Sequence, residues 1–181
     1  IDILKRLIAA NASLNVKNKR GQTPLMCAVK ASRRDAGEAL IAAKADLDAR
    51  DESGSTALAF AALNGDVNML NQLISAKAAL DIRDAEDRTP IMLAVSENHA
   101  AAAKVLADAT DKDGNSGLVS AVASDDLPTV NLLLAAKASP NVRNNKGQPV
   151  VTMAVSAGCT AITEALIAAG ALVDASNDRY K

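Results

Sequence analysis

Aromatic side chains are nearly missing from this chain. One Tyr, one Phe and no Trp make up 1% of its 181 residues, so bulky rings are not what fills its interior, and nucleic-acid bases would find almost nothing to stack on. A surplus of positive charge is missing too. The formal net charge is -1 and the sequence pI about 5.8, which leaves no basic footprint for nucleic acid. No apolar run approaches the roughly 20 residues that a membrane-spanning helix needs. There is no Gly-rich phosphate-cradling loop followed by Lys and no Gly-x-Ser-x-Gly nucleophile elbow. What is present is 49% hydrophobic residues, carried by Ala, Leu, Val and Ile, enough to exclude a wholly disordered chain. Small side chains in that proportion imply closely spaced helices.

The apolar residues recur in phase. "GQTPLMCAVKA" at 21–31 returns as "GSTALAFAALN" at 54–64, "DRTPIMLAVSE" at 87–97, "GNSGLVSAVAS" at 114–124 and "GQPVVTMAVSA" at 147–157. With Thr23, Thr56, Thr89, Ser116 and Pro149 as the equivalent position, the intervals are 33, 33, 27 and 33 residues. Such a period marks stacked supersecondary units rather than a single-centred globule. Each unit offers a turn with Gly21, Gly54, Gly114 or Gly147, a hydroxyl N-cap at Thr23, Thr56, Thr89 or Ser116, and a short apolar helix. Pro24 and Pro90 suit the first helical turn. A second helix then ends in Leu40/Ile41, Leu73/Ile74, Val105/Leu106, Leu133/Leu134 or Leu166/Ile167.

"NKRGQTPLMCA" at 18–28 and "DESGSTALAFA" at 51–61 resemble the ankyrin-repeat family, whose pattern runs Asp-x-x-Gly-x-Thr-Pro-Leu-His-x-Ala. The resemblance covers essentially the whole chain. It implies an all-α solenoid of helix-turn-helix units with β-hairpin finger loops, in a single domain over 1–181. The expected division is a partial unit at 1–17 and repeats at about 18–50, 51–83, 84–110, 111–143 and 144–176. "IDILKRLIAANASLN" matches only a second helix, and residue 1 is not Met, so chain upstream is expected. "DASNDRYK" reads as the opening turn of a next unit. The family's His is replaced by Met26, Ala59, Met92, Val119 and Thr152, so apolar contact between units is expected in place of its hydrogen bond to the capping Thr. Pro149 has no hydroxyl and should weaken the start of its helix, leaving the fifth unit as the fraying end. The Gly that closes the second helix survives only as Gly170, with Asn11, Lys44, Lys77 and Lys137 at the matching sites. A left-handed backbone there would strain each Lys.

Function is expected at the surface. His99, the only histidine, lies at a turn between helices where capping suits it better than general-base work. Cys27 takes an inward helix position shared with Phe60, Leu93, Ser120 and Met153, and Cys159 sits at a turn four units away, too far for a disulfide. Two unpaired thiols do not fix a redox compartment. Asp111, Asp113 and Asn115 alternate like the first half of a calcium loop, but its sixth and twelfth positions are Ser116 and Val122 instead of Gly and Glu, so a plain turn is the better reading. No catalytic, metal or cofactor-binding residue is assigned. In the ankyrin family, partners dock on finger tips and inner helices. That implies Lys19, Arg20 and Gln22; Glu52, Ser53 and Ser55; Ala85, Glu86 and Arg88; Lys112, Asp113 and Asn115; and Asn145, Lys146 and Gln148. Lys19, Arg20, Lys30, Arg33 and Arg34 make the first unit basic, while Asp111, Asp113, Asp125 and Asp126 make the fourth acidic, a polarity able to orient a partner. The 27-residue interval lacks the stretch equivalent to Ala78 through Arg83. A notch near Asp108 to Asp113 that receives part of a partner is expected, against a tolerated loop deletion.

Two functional classes follow. The Lys-for-Gly habit and the missing His resemble bacterial ankyrins. Among those, the self-protection type shields a predatory bacterium's wall from its own secreted peptidoglycan endopeptidases. That resemblance implies a monomeric inhibitor of a penicillin-binding-protein-like hydrolase, periplasmic after removal of a leader. The other class is a scaffold or host-directed effector joining proteins in a cytoplasm. The residues upstream of Ile1 would separate them.

Overall fold

The computed structural model describes residues 2–110 and 115–173. Among these are eleven helices: α1 (Asp2–Ala9), α2 (Pro24–Lys30), α3 (Arg34–Ala42), α4 (Ala57–Leu63), α5 (Val67–Ser75), α6 (Pro90–Ser96), α7 (Ala100–Asp108), α8 (Gly117–Ala123), α9 (Leu127–Ala135), α10 (Val150–Ala157) and α11 (Thr160–Ala168). The terminal "DASNDRYK", Lys112 and Asp113 fall outside the described residues. Each full unit is a leading helix, a tight turn and a trailing helix, so the architecture is an all-α solenoid. The fingers carry no strand ladder among the described residues. They show only isolated bridges, Thr110 to Ser116 and Arg143 to Pro149.

Local chemistry explains the helix ends. The hydroxyls of Thr23, Thr56 and Ser116 accept the N–H of Met26, Ala59 and Val119 at 3.3, 3.2 and 3.4 Å, satisfying a free donor of the first turn. Where the family has His, the Met26 and Met92 sulfurs accept the backbone N–H of Thr23 and Thr89 at 3.4 and 3.5 Å. The lost histidine bond is therefore replaced in part by a weak N–H to sulfur bond, and not by apolar contact alone. Pro149 makes no side-chain cap. The trailing helices α3, α5, α9 and α11 close on a left-handed residue, with φ of 64° at Lys44, 71° at Lys77, 67° at Lys137 and 93° at Gly170. The following N–H groups turn back onto the last helical carbonyls, for example Ala78 N–H to Leu73 O at 3.0 Å, as in a Schellman ending. Helix α7 is the exception. Its end residue Ala109 is extended at φ -70°, ψ 153°, and the chain runs straight into the shortened finger.

Packing repeats the sequence period. Ala28, Ala61, Ala94, Ala121 and Ala154 are all buried between leading helices, and Leu40, Leu73, Leu106, Leu133 and Leu166 are buried beneath the trailing ones. Small residues let the helices approach closely, and the leucines supply most of the area removed from water. Leading helix packs on leading helix from α2 to α4, α4 to α6 and α8 to α10, and trailing on trailing from α3 to α5, α5 to α7 and α9 to α11. Between the third and fourth full units this rule breaks. There α6 packs against α9, and α7 lies between α8 and α9, touching both. The six-residue shortening therefore re-seats the fourth unit on the third.

Two expectations about single residues are corrected. Cys27 is exposed. No leading helix precedes α2 among the described residues, so nothing covers Cys27 on that side, whereas Phe60 at the same position is buried and lies under Lys30, 4.9 Å from its ammonium. His99 makes no side-chain cap on its own helix. Its Nε2–H donates instead to Leu63 O at 3.1 Å, at the end of α4 in the preceding unit, and its ring lies on Gly65, where a Cβ would come within 2.7 Å of it.

Candidate docking surface

The finger tips are built by one device used four times. Asn18, Asp51, Asp84 and Asn144 each accept, through a single side-chain oxygen, the N–H groups two and four residues ahead at 2.9 to 3.0 Å. This Asx turn fixes the tip backbone. Gly21 and Gly54 follow in the left-handed region at φ 72° and 74°, and a side chain there would meet backbone of the next finger at 2.9 Å (Glu52 N) and 3.1 Å (Ala85 N). Close stacking is what those glycines permit: Glu52 N–H bonds Arg20 O at 3.1 Å and Ala85 N–H bonds Ser53 O at 2.8 Å. In the third finger Asp87 holds the left-handed position at φ 62°. Burial alone would raise the Asp84 carboxyl, but the N–H groups of Arg88 and Glu86 and the Arg88 guanidinium, 2.8 Å away, outweigh it and hold the acid below its ordinary range.

On these tips Lys19, Arg20, Glu52, Ser53, Ala85, Glu86, Asn145 and Lys146 are exposed. Gln22 and Ser55 are buried. Gln22 instead reaches Asp51 of the next finger at 3.4 Å, tying tips together. Arg88 and Gln148 are half-buried, Arg88 in ion pairs to Asp84 and Glu86. Asp108 is exposed and pairs with Lys104 at 2.9 Å. Asn115 accepts Asn145 N–H at 3.0 Å, linking the fourth finger to the fifth. The basic pole of the first unit is present: Lys19, Arg20, Lys30, Arg33 and Arg34 are exposed, and only Arg34 has an acidic partner, Asp66 at 3.1 Å. Of the expected acidic pole, Asp111 and Asp113 lie outside the described residues, and Asp126 is paired with Arg83.

Behind the tips runs a ladder that the repeat period alone did not reveal. Asn15, Asp48 and Asn141 accept the N–H of Asp46, Ala79 and Leu172 in the next arm at 2.9, 2.8 and 2.8 Å. Two residues further on, Lys17 and Arg50 donate to the carbonyls of Arg50 and Arg83 at 2.9 and 2.7 Å. Asp81 and Arg83 are the next pair in this series and face the shortened finger. Arg83 is diverted to the Asp126 carboxylate, across 43 residues of chain, and Asp81 has no hydrogen bond or ion pair among the described residues. Beside them a cavity of about 70 Å³ is lined by Leu80, Ile91, Leu106, Leu133, Thr89 and Thr129, among others. The Thr89 and Thr129 hydroxyls are buried without a partner.

No group of three metal-ligating side chains occurs among the described residues, and no helix is long and apolar enough to cross a membrane. The Cys159 thiol donates to the Asp125 carboxylate, which together with burial and the carboxylate's charge pushes the thiol up, away from the reactive thiolate.

A family profile described as Ankyrin repeats (3 copies) matches residues 1–84, 32–117 and 60–144. Among solved structures the chain is similar to the ankyrin repeat domain of Bcl-3, a unique member of the IkappaB protein family, at 26% identity and a TM-score of 0.57, covering 94% of this chain and 80% of that one. No curated protein matches significantly.

Proposed function

Because the chain belongs to the ankyrin-repeat family, whose repeats are protein–protein interaction modules, we propose that it is a non-catalytic module that holds one protein partner along its finger row. The observation that carries this reading is the series of tips with backbones fixed by Asx turns and exposed side chains of changing chemistry, basic at Lys19 and Arg20 and mixed at Glu52, Glu86 and Lys146. A preorganised tip loses little conformational entropy on binding, and unpaired basic side chains at one end steer encounter and set orientation. Asn115 joins this row through its bond to the fifth finger; Lys112 and Asp113, outside the described residues, are proposed for it from the repeat pattern alone. Reversal of Lys19 and Arg20 to Glu is expected to lower the association rate about tenfold at low salt and to flatten its salt dependence. Unchanged kinetics would remove them from the interface.

The partner that fits the resemblance to bacterial ankyrins is an enzyme, a penicillin-binding-protein-like peptidoglycan endopeptidase in the periplasm. In this reading the monomeric chain is an inhibitor or immunity protein that caps the enzyme's active-site mouth. Support comes from the Lys-for-Gly helix ends and the missing family His. The second reading is a scaffold or host-directed effector that links proteins without inhibiting them, drawn from the repeat fold alone. Co-purification from the native cells, followed by a hydrolase assay with and without added chain, separates the two. Loss of hydrolysis at stoichiometric chain supports the inhibitor; a complex that keeps full activity supports the scaffold.

A further inference from the structure

Trailing helices are tied side to side where the stack is regular. Between α3 and α5, Gln72 donates to Glu38 at 2.7 Å, and Arg34 pairs with Asp66 at the start of α5. At the re-seated joint the second half of α9 comes instead beside the first half of α7 and the end of α6. Among the described residues no side-chain hydrogen bond or ion pair joins α7 to α9. What remains between them is an open groove of about 430 Å³ at the turn edge of the stack, away from the finger tips. Its floor is apolar: Ala103 is buried, and Val95, Leu132 and Ala136 are half-buried. Its rim is basic. Lys104 and Lys137 are both exposed; Lys104 shares its charge with Asp108, and Lys137 has no acidic partner among the described residues. Glu97, which closes α6, acts electrostatically on Arg88 of the third finger.

We propose that this groove seats one amphipathic helix of a partner protein, with aliphatic side chains one turn apart on Val95, Leu132 and Ala136 and acidic residues beside Lys104 and Lys137. The occupant follows from the walls. Ala100, Ala103, Ala135 and Ala136 let a helix backbone come close, as Ala28, Ala61 and Ala94 do between the leading helices. Two lysines against the one carboxylate of Asp108 leave a surplus of positive charge, which selects acidic flanks. In helix-in-groove docking the buried apolar face supplies the affinity, and here the lysines set the direction. This rests on the reading of the chain as a protein-binding module and adds a second surface to it, with the chemistry of what that surface takes.

The test uses the full chain and the peptide acetyl-Ser-Glu-Glu-Leu-Ala-Gln-Leu-Leu-Glu-Ala-Glu-amide, followed by amide NMR. Saturable shifts at Val95, Ala100, Ala103 and Leu132 to Lys137 are expected, with a dissociation constant on the order of millimolar for a peptide of this length. The same peptide with Lys in place of every Glu should not bind. Ala135→Glu, an exposed change, sets a like charge in the groove and should weaken binding about tenfold. Lys137→Gly removes the charge while easing a left-handed backbone, φ 67°. It should weaken binding about two- to fivefold in a chain that melts no lower than the parent. No saturable shift, equal binding of the two peptides, or full affinity in Ala135→Glu would overturn the proposal. Two other occupants are covered. Dimers in sedimentation velocity that vanish in Ala135→Glu would give the groove to a second copy. Shifts of the same residues by sodium decanoate at lower concentration than the peptide needs would give it to a free amphiphile. Either result overturns the partner helix. With the co-purified partner, loss of affinity on reversing Lys19 and Arg20 but none on Ala135→Glu would sink the groove while leaving the finger row standing, and the opposite pattern would do the reverse. Indifference to both would sink the row and the groove together.

Discussion

Gly65→Ala tests the contact by which the His99 side chain ties its unit to the one before it. Gly65 has φ 62°, a region that costs Ala about 1–2 kcal/mol. Its new Cβ would stand 2.7 Å from the Cγ and Nδ1 of His99, well inside van der Waals contact, so the ring must shift and the 3.1 Å bond from Nε2 to Leu63 O is lost, about 0.5–1.5 kcal/mol. Stiffening of the unfolded chain returns about 0.4–1 kcal/mol. The net expectation is destabilisation by about 1–2.5 kcal/mol. In a His99→Ala background the clash has no partner, and the same substitution should cost only about 0.5–1 kcal/mol. Urea denaturation of the four chains, followed by circular dichroism, gives the coupling directly. A neutral Gly65→Ala, or an equal cost in both backgrounds, would refute the claim that the His99 ring rests on this glycine.

Lys77→Gly should raise the melting temperature by about 1–3 °C, because relief of a left-handed Lys (φ 71°) exceeds the lost interaction of its charge with the helix end; a lower value in a thermal scan would contradict the strain. Asp84 has its pKa lowered by folding, so it contributes stability above about pH 4 that disappears as pH falls through its folded value. Asp84→Asn keeps the Asx turn, as Asn18 and Asn144 show, and is expected to flatten the acid limb of a stability–pH curve; an unchanged limb would assign it to other carboxylates. Pro149→Thr should restore a hydroxyl cap on α10, worth about 1 kcal/mol, seen as slower amide exchange confined to α10 and α11. Exchange as fast as in the parent would mean that the missing cap is not what limits that end.

Fold class and unit organisation were legible because they rest on interactions close in sequence. A hydroxyl directly before an apolar run accepts the N–H three residues ahead, as at Thr23 and Thr56 though not at Thr89, and the position where Gly170 stands predicts the left-handed turns at Lys44, Lys77 and Lys137. The tips were legible as tips, but not which of their residues point outward. Gln22 and Ser55 are buried because one finger leans on the next, a contact set by distances across 29 or more residues of chain. The same holds for Cys27, which no leading helix covers among the described residues, and for His99, which bonds the unit before its own rather than its own helix end.

At the shortened finger, sequence supplied the number of missing residues and tertiary structure everything else. Repeat alignment assumes that each unit sits on its neighbour in one fixed way, and it offers no rule once the connecting arm is gone. The re-seating of α9 on α6, the diversion of Arg83 to Asp126 and the unpaired Asp81 come from the fourth unit finding the best burial left to it. That is a competition among whole surfaces, and no short stretch of sequence encodes its outcome.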